Sequence, residues 1–205
     1  MVEPRLHLGQ APRKHDDHEN RPRQNCHAER RGLAIFEDPR RGNCAGCHPS
    51  RPGPDGSPPL FTDGSYANLG IPRYGNNKFY VQPPALNPDG GGYIDHGLAA
   101  TVGDPAQDGK FRVPTLRNIA VTPPYGHNGY FENLPYLIDF LNTRDVGSRD
   151  VGTCSRISPE ARCPWPAAEV PATVDRSIGH LGLSDDDIAE LVAFLGALTD
   201  DAPGS

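Results

Sequence analysis

The chain has 205 residues, which suits a single domain, or one and a half, and is long enough to bury a modest hydrophobic core. Only 36% of the residues are hydrophobic, and the 23 Gly and 23 Pro indicate short helices joined by long ordered loops. The net charge is -6, so we expect no nucleic-acid partner. No stretch approaches about 18 apolar residues, and residues 1–31 contain no apolar signal core, so we expect neither a membrane span nor a signal peptide.

The chain begins with a polar segment, and a short helix is predicted after it. Residues 1–28 are rich in Arg, His and Pro and have no periodicity, so we interpret them as a disordered leader or the remnant of a missing upstream domain. A helix is predicted over residues 30–37, because Leu33, Ile35 and Phe36 form an apolar face and the following proline at position 39 ends it. Residues 49–110 are dense in turn residues and predict a long structured loop region.

Two further helices are predicted after residue 110, so three helices are predicted in all. Residues 111–121 are predicted to be extended. Asn133 is the predicted N-cap of a helix that begins at Leu134. The last helix follows Ser184 as N-cap, and three aspartates favour its positive end. We expect it to pack against the helix over residues 30–37.

The helix after Asn133 and the helix after Ser184 each have an apolar face at helical spacing. The face of the first consists of Leu134, Leu137, Ile138 and Leu141. The face of the second consists of Ile188, Leu191, Val192, Leu195 and Leu198.

The segment Cys44-Ala45-Gly46-Cys47-His48 is a C-x-x-C-H motif, the attachment pattern of c-type haem. Two thiols on one helical turn can add to the two vinyl groups of haem, and the next imidazole then faces the iron. The motif predicts one covalent haem c with His48 as the proximal iron ligand. A zinc ribbon would require a second close cysteine pair, and a thioredoxin-like motif would require a βαβ context; the sequence shows neither.

The remaining cysteines have other predicted roles. Cys154 and Cys163 are expected to form a loop disulfide in an oxidising compartment, the alternative being two free surface thiols. Cys26 is left over, and its neighbour His27 does not make a metal site with it.

The sixth iron ligand is the open question, because it separates electron transfer from reaction with peroxide. The only methionine is Met1, which nearly excludes an axial Met. The remaining candidates are His96, His127, His180 and the tyrosines.

Five segments resemble, in order, the C-terminal half of the bacterial diheme cytochrome c peroxidases and MauG-like enzymes: RGLAIFEDPRRGNCAGCHPS, PPLFTDGSYANLGIPR, GKFRVPTLRNIAVTPPYGHNGYFENL, DFLNTRDV and LGLSDDDIAELVAFLGALTD. The resemblance implies a mainly α c-type cytochrome fold, with short helices around the haem and long Gly/Pro-rich loops. It assigns residues 29–201 to one cytochrome c domain and leaves 202–205 as a tail. The family's N-terminal domain has its own C-x-x-C-H, which this chain lacks, so the chain resembles half an enzyme.

The resemblance carries site residues over to this chain. Cys44 and Cys47 match the thioether cysteines, and His48 matches the proximal ligand. Arg117 and His127 stand in the family's PTLRN and PYxHxG signatures near the haem, where Arg117 could neutralise a propionate.

The resemblance also implies a calcium ion. Thr122 and Pro124 match two positions whose backbone carbonyls help bind calcium between the family's domains. Their third protein partner belongs to the half that this chain lacks.

The sequence departs from the family at Leu141. The family has its distal ligand at this position, Met in peroxidases and Tyr in MauG-like enzymes, and leucine has no donor atom. Either the iron is five-coordinate, or Tyr125, His127 or Tyr130 reaches it, or this chain has lost the family's redox tuning. An open iron could bind peroxide, with Glu132 or His127 as acid-base groups.

The function implied by the resemblance is that of an oxidoreductase passing electrons from a small redox protein, a cytochrome or a cupredoxin, to peroxide at a second haem. A stand-alone monohaem electron carrier and a MauG-like enzyme that oxidises a protein side chain are the alternatives. Haem c is attached outside the bacterial inner membrane, so we expect a periplasmic location. The resemblance also admits a homodimer.

Overall fold

The computed structural model describes residues 23–147 and 163–200. Within these ranges the α-helices are α1 (Arg23–Glu37), α2 (Leu98–Val102), α3 (Leu134–Thr143) and α4 (Asp185–Gly196). Strands β1 (Tyr66–Ala67) and β2 (Phe111–Arg112) pair antiparallel, with Tyr66 opposite Arg112. The described part of the chain is therefore rich in helix with little sheet, which confirms the predicted mainly α class.

Helix α1 is longer than predicted. It begins at Arg23 instead of residue 30, so residues 23–28 are helical and the predicted irregular leader was wrong there. The reason is that Arg, Gln, Ala and Glu are good helix formers, while the exposed or half-buried side chains of residues 26–30 give no apolar periodicity to detect. The rest of the predicted leader, residues 1–22, lies outside the described residues.

Helices α1 and α4 pack side by side, as predicted. Gly32 of α1 allows the close approach, because a Cβ there would lie 2.6 Å from the Glu190 carbonyl carbon and 2.8 Å from the Phe194 Cβ. The Arg31 guanidinium pairs with Glu190 across the same contact. This packing fixes α4 against the segment that leads into the cysteine motif.

The predicted stripe of α4 is confirmed only in part. Leu191 and Leu195 are buried, Ile188 and Val192 are half-buried, and Leu198 is half-buried and lies beyond the end of α4 at Gly196. Phe194, which the predicted stripe leaves out, is buried and its ring centroid lies 5.1 Å from that of Phe36.

The N-caps of α3 and α4 are confirmed. The Asn133 side chain accepts a hydrogen bond from the Tyr136 N–H at 2.9 Å. Ser184 and Asp187 form a reciprocal capping box, in which each side chain accepts from the other residue's N–H. Both helices therefore begin where the capping residues predict.

An aromatic cluster buries the side of α3 that faces away from the predicted apolar face. Phe140 is fully buried, and its ring centroid lies 5.1 Å from that of Trp165 and 5.0 Å from that of Phe131. Cys163, close to Trp165 in sequence, is disulfide-bonded. Its predicted partner Cys154 lies outside the described residues.

Two local predictions were wrong. Only Phe111–Arg112 is strand in the segment predicted to be extended; Asn118 adopts a left-handed conformation, φ 61°, and Ile119–Val121 forms a 3-10 turn. Helix α2 was not predicted, because five residues are too short to produce a periodic pattern. Among the described residues, no helix is long and apolar enough to cross a lipid bilayer.

Candidate cofactor site

A single 3-10 turn, Cys44–Gly46, positions the cysteine motif. Asn43 enters the turn in the left-handed conformation, φ 48°, and the His48 N–H donates to the Cys44 carbonyl at 2.9 Å. This closed turn puts Cys44 and His48 on the same side of the motif, and both line a cavity of about 430 Å³. Cys47 is half-buried and does not line this cavity.

The wall of the cavity is mostly hydrocarbon. Helices α1 and α4 contribute Phe36, Leu191 and Leu195. The whole predicted apolar face of α3 also lines it: Leu134, Leu137, Ile138 and Leu141. A concave apolar space with a few polar groups at its edge suits a large hydrophobic cofactor.

The imidazole of His48 is held by a backbone carbonyl. Its Nδ1 lies 2.7 Å from the Phe61 oxygen, and a proton donated from Nδ1 leaves Nε2 with a free lone pair for a metal. Burial lowers the pKa of His48, opposed by the carbonyls of Phe61 and Pro114 and by Asp63. The neutral ring that a metal requires is therefore the favoured form near pH 7.

Phe61 is a site residue that the sequence did not reveal. Its backbone adopts a left-handed conformation, φ 51°, which a bulky side chain rarely takes. Its ring is buried and its centroid lies 6.1 Å from that of Phe36. The core packing of the ring holds the carbonyl that accepts from His48.

The motif thiols are not in disulfides. Burial raises the pKa of Cys44 to about 12, and its Sγ donates a long hydrogen bond, 3.5 Å, to the Gly42 carbonyl. Burial, Asp63 and Asp175 raise the pKa of Cys47. No group of three or more His, Cys, Asp or Glu side chains in the described ranges could hold a metal ion. The Cys44 thiol and the oriented His48 imidazole at an apolar cavity, with a second free thiol at Cys47, fit a covalently attached haem.

The candidate distal ligands separate into two groups. Tyr125, His127 and Leu141 line the cavity, whereas Tyr130 does not. The Tyr125 hydroxyl is already used as a donor to the Ile119 carbonyl at 2.8 Å. The cavity thus has both Leu141 and His127 in its wall, and which residue would be the distal ligand stays a prediction.

The structure places a different arginine at the cavity from the predicted one. Arg117 does not line it; its Nε donates to the Pro59 carbonyl and its guanidinium pairs with Asp200, both at 3.1 Å. A propionate role for Arg117 stays a prediction. Arg112 lines the cavity instead, from the end of β2. Its neighbours Phe111 and Val113 line the cavity too, and strand alternation would have placed Arg112 on the opposite face, so no sequence pattern indicated it.

The other predicted residues lie in two places. Thr122 and Pro124 border the cavity, joined through a cis Pro123-Pro124 peptide, and their calcium role stays a prediction. His96 pairs with Asp108 and does not line the cavity. His180 and Glu132 do not line it either.

Comparisons with known proteins agree with the motif. MauG from Paracoccus denitrificans (strain Pd 1222) is 39% identical over 162 residues, which are 77% of this chain and 39% of that protein. The cytochrome-c peroxidase IdrP1 from Pseudomonas sp. (strain SCT) is 30% identical over 56% of this chain and 31% of its own length. The chain therefore spans less than half the length of these relatives.

A solved structure agrees as well. A variant of the diheme peroxidase BthA from Burkholderia thailandensis superposes with a TM-score of 0.62 at 28% identity, covering 84% of this chain and 42% of that one. No family model matches the chain. Both curated relatives and the solved structure therefore support the chain as a member of the MauG-like diheme cytochrome c peroxidase family, of whose length it spans less than half.

Proposed function

We propose that the chain is a haem-binding oxidoreductase, the electron-transfer domain of a diheme cytochrome c peroxidase. The observation that carries this proposal is the apolar cavity onto which Cys44 and the oriented imidazole of His48 both open. Haem, when bound, supplies reversible one-electron redox chemistry at its iron.

The residues of the chain would divide the work of holding that group. Cys44 and Cys47 hold it covalently, and His48 binds the iron through the nitrogen that Phe61 leaves free. The hydrocarbon walls exclude water and so lower the local dielectric, which is one of the factors that set a haem potential. Arg112 offers a cation to a propionate at the cavity edge.

The remaining parts of the enzyme belong to the same proposal. Residues 29–201 form the cytochrome c domain, and a second haem domain reduces peroxide. A small cytochrome or cupredoxin supplies the electrons in the periplasm. The carbonyls of Thr122 and Pro124 help bind calcium between the domains, and the enzyme can form a homodimer.

Three other functions have specific support. The 39% identity to MauG supports an enzyme that oxidises a protein side chain. Leu141 at the cavity wall, with no donor atom, supports either an open iron that reacts with peroxide or a carrier whose ligand is His127.

Optical spectroscopy of the haem-loaded chain, produced with haem-attachment machinery, tests these functions. Reversible one-electron reduction with a low-spin spectrum that peroxide leaves unchanged supports the electron-transfer domain. A high-spin ferric spectrum that changes on adding peroxide supports an enzyme acting at this haem. A haem that cannot be reduced and reoxidised contradicts the proposal.

A further inference from the structure

Glu169 is a buried carboxylate that lies beside His127. Its side chain is 5% exposed and that of His127 is 14% exposed. The His127 Nε2 lies 3.9 Å from the Glu169 Oε2. The two residues are 42 positions apart in the sequence, so only the fold brings them together.

The His127 ring is held between the cavity and this carboxylate. The ring stacks on Phe111, with centroids 3.6 Å apart and planes inclined by 6°. Both rings line the cavity. Stacking fixes the plane of the imidazole, so the carboxylate decides which of its nitrogens carries the proton.

One oxygen of Glu169 has a partner and the other does not. Oε1 accepts a hydrogen bond of 3.4 Å from the Tyr80 hydroxyl, while Oε2 is buried without a hydrogen bond. Burial raises the pKa of Glu169. The charge of Arg73 and hydrogen bonds from the Tyr80 hydroxyl and the Asp95 backbone oppose this rise, whereas the charge of the Asp95 carboxylate adds to it. An unpaired buried carboxylate oxygen is costly, and the His127 imidazole, 3.9 Å away, is a donor that could satisfy it.

We propose that Glu169 is a positioning residue for His127: its Oε2 accepts the Nε2 proton of the imidazole and leaves Nδ1 as the lone-pair nitrogen on the cavity side. A direct hydrogen bond requires the two atoms, which are 3.9 Å apart, to approach each other to about 3 Å. Carboxylates commonly orient functional histidines in this way.

On the basis of the proposed function, the position of the His127 proton also matters for the cavity. If haem occupies the cavity, His127 meets it through Nδ1, as a base or as a ligand, and Nε2 is not available for either role. Glu169 then acts on the haem only through His127.

A haem-independent experiment tests the pairing itself. In the full chain labelled with 15N-histidine and not loaded with haem, the Nε2 proton of His127 should exchange slowly with water. Glu169→Gln keeps an acceptor oxygen but loses the charge, so exchange should be about tenfold faster, because charge-assisted hydrogen bonds are about twice as strong as neutral ones. Glu169→Leu should be faster still. The matched control is Asp108→Asn, which removes the carboxylate partner of His96 and should leave His127 unchanged.

The pairing is supported if the exchange rate of the His127 Nε2 proton rises in the order wild type, Glu169→Gln, Glu169→Leu. Equal exchange rates in wild type and Glu169→Gln would overturn the pairing, even if Glu169→Leu fails to fold. A His127 ring protonated only at Nδ1 would overturn it as well.

The haem-loaded full chain tests the consequence for the cavity. Glu169→Gln should shift the midpoint potential, and the same substitution in a His127→Ala background should add nothing further. Independent, additive shifts would show that Glu169 does not act through His127. If no haem attaches while the exchange order holds, the proposed function fails and the pairing stands.

Discussion

Leu141 is the side chain on which the distal face of the site depends, because it lines the cavity where relatives are expected to have a ligand. Leu141→Met should supply a thioether, convert a high-spin ferric spectrum to low-spin and raise the midpoint potential, since axial Met favours the reduced iron. Optical spectra and a redox titration of the haem-loaded variant measure both effects.

The neighbouring Leu137, one turn earlier on α3 and also at the cavity, provides the control. Leu137→Met should leave the spin state unchanged. If wild type is already low-spin, single substitutions of Tyr125, His127 and Tyr130 should identify the bound residue. If none of these substitutions moves the spectrum, α3 does not lie over the iron.

Arg112 and Arg117 differ in their position relative to the cavity. Arg112 borders the cavity, whereas Arg117 is engaged by Pro59 and Asp200. Arg112→Gln should therefore lower the midpoint potential of the haem, because it removes a positive charge that stabilises the reduced state. Arg117→Gln should leave the potential nearly unchanged and lower the free energy of unfolding. The opposite pattern would restore Arg117 as the propionate partner.

The contact between α1 and α4 positions the segment before the cysteine motif, and one glycine tests it. Gly32→Ala places a methyl group against the Glu190 backbone, so it should lower the free energy of unfolding by about 1–3 kcal/mol, the usual cost of overpacking. Urea denaturation measures the change. Gly196→Ala, at the end of α4 with nothing within 4 Å, is the matched control and should be neutral or stabilising. Equal effects at both positions would mean that the helices do not pack at Gly32.

Patterns confined to one element were predictable from the sequence. The capping side chains of Asn133 and Ser184 predict where α3 and α4 begin. The apolar spacing in α3 predicts the face that lines the cavity, which consists of Leu134, Leu137, Ile138 and Leu141. The start of α1 was not predictable, because its first turns are polar and carry no periodicity.

Contacts made by irregular segments could not be predicted from the sequence. The Phe61 carbonyl reaches His48 from a loop, and Glu169 reaches His127 from the irregular chain before α4. Neither contact has a period or a spacing rule, so no local pattern encodes it. At the scale of the whole molecule, the motif and its resemblance indicated the family, while the residues that orient the two histidines required the fold.

The mass of the denatured full chain, matured with haem-attachment machinery, shows whether haem is covalently attached. The wild-type chain should keep the added mass of one haem after denaturation. Cys44→Ala combined with Cys47→Ala should lose it, and Cys26→Ala, which removes an exposed free thiol, should keep it. A denatured wild-type chain with the mass of the polypeptide alone would contradict the account.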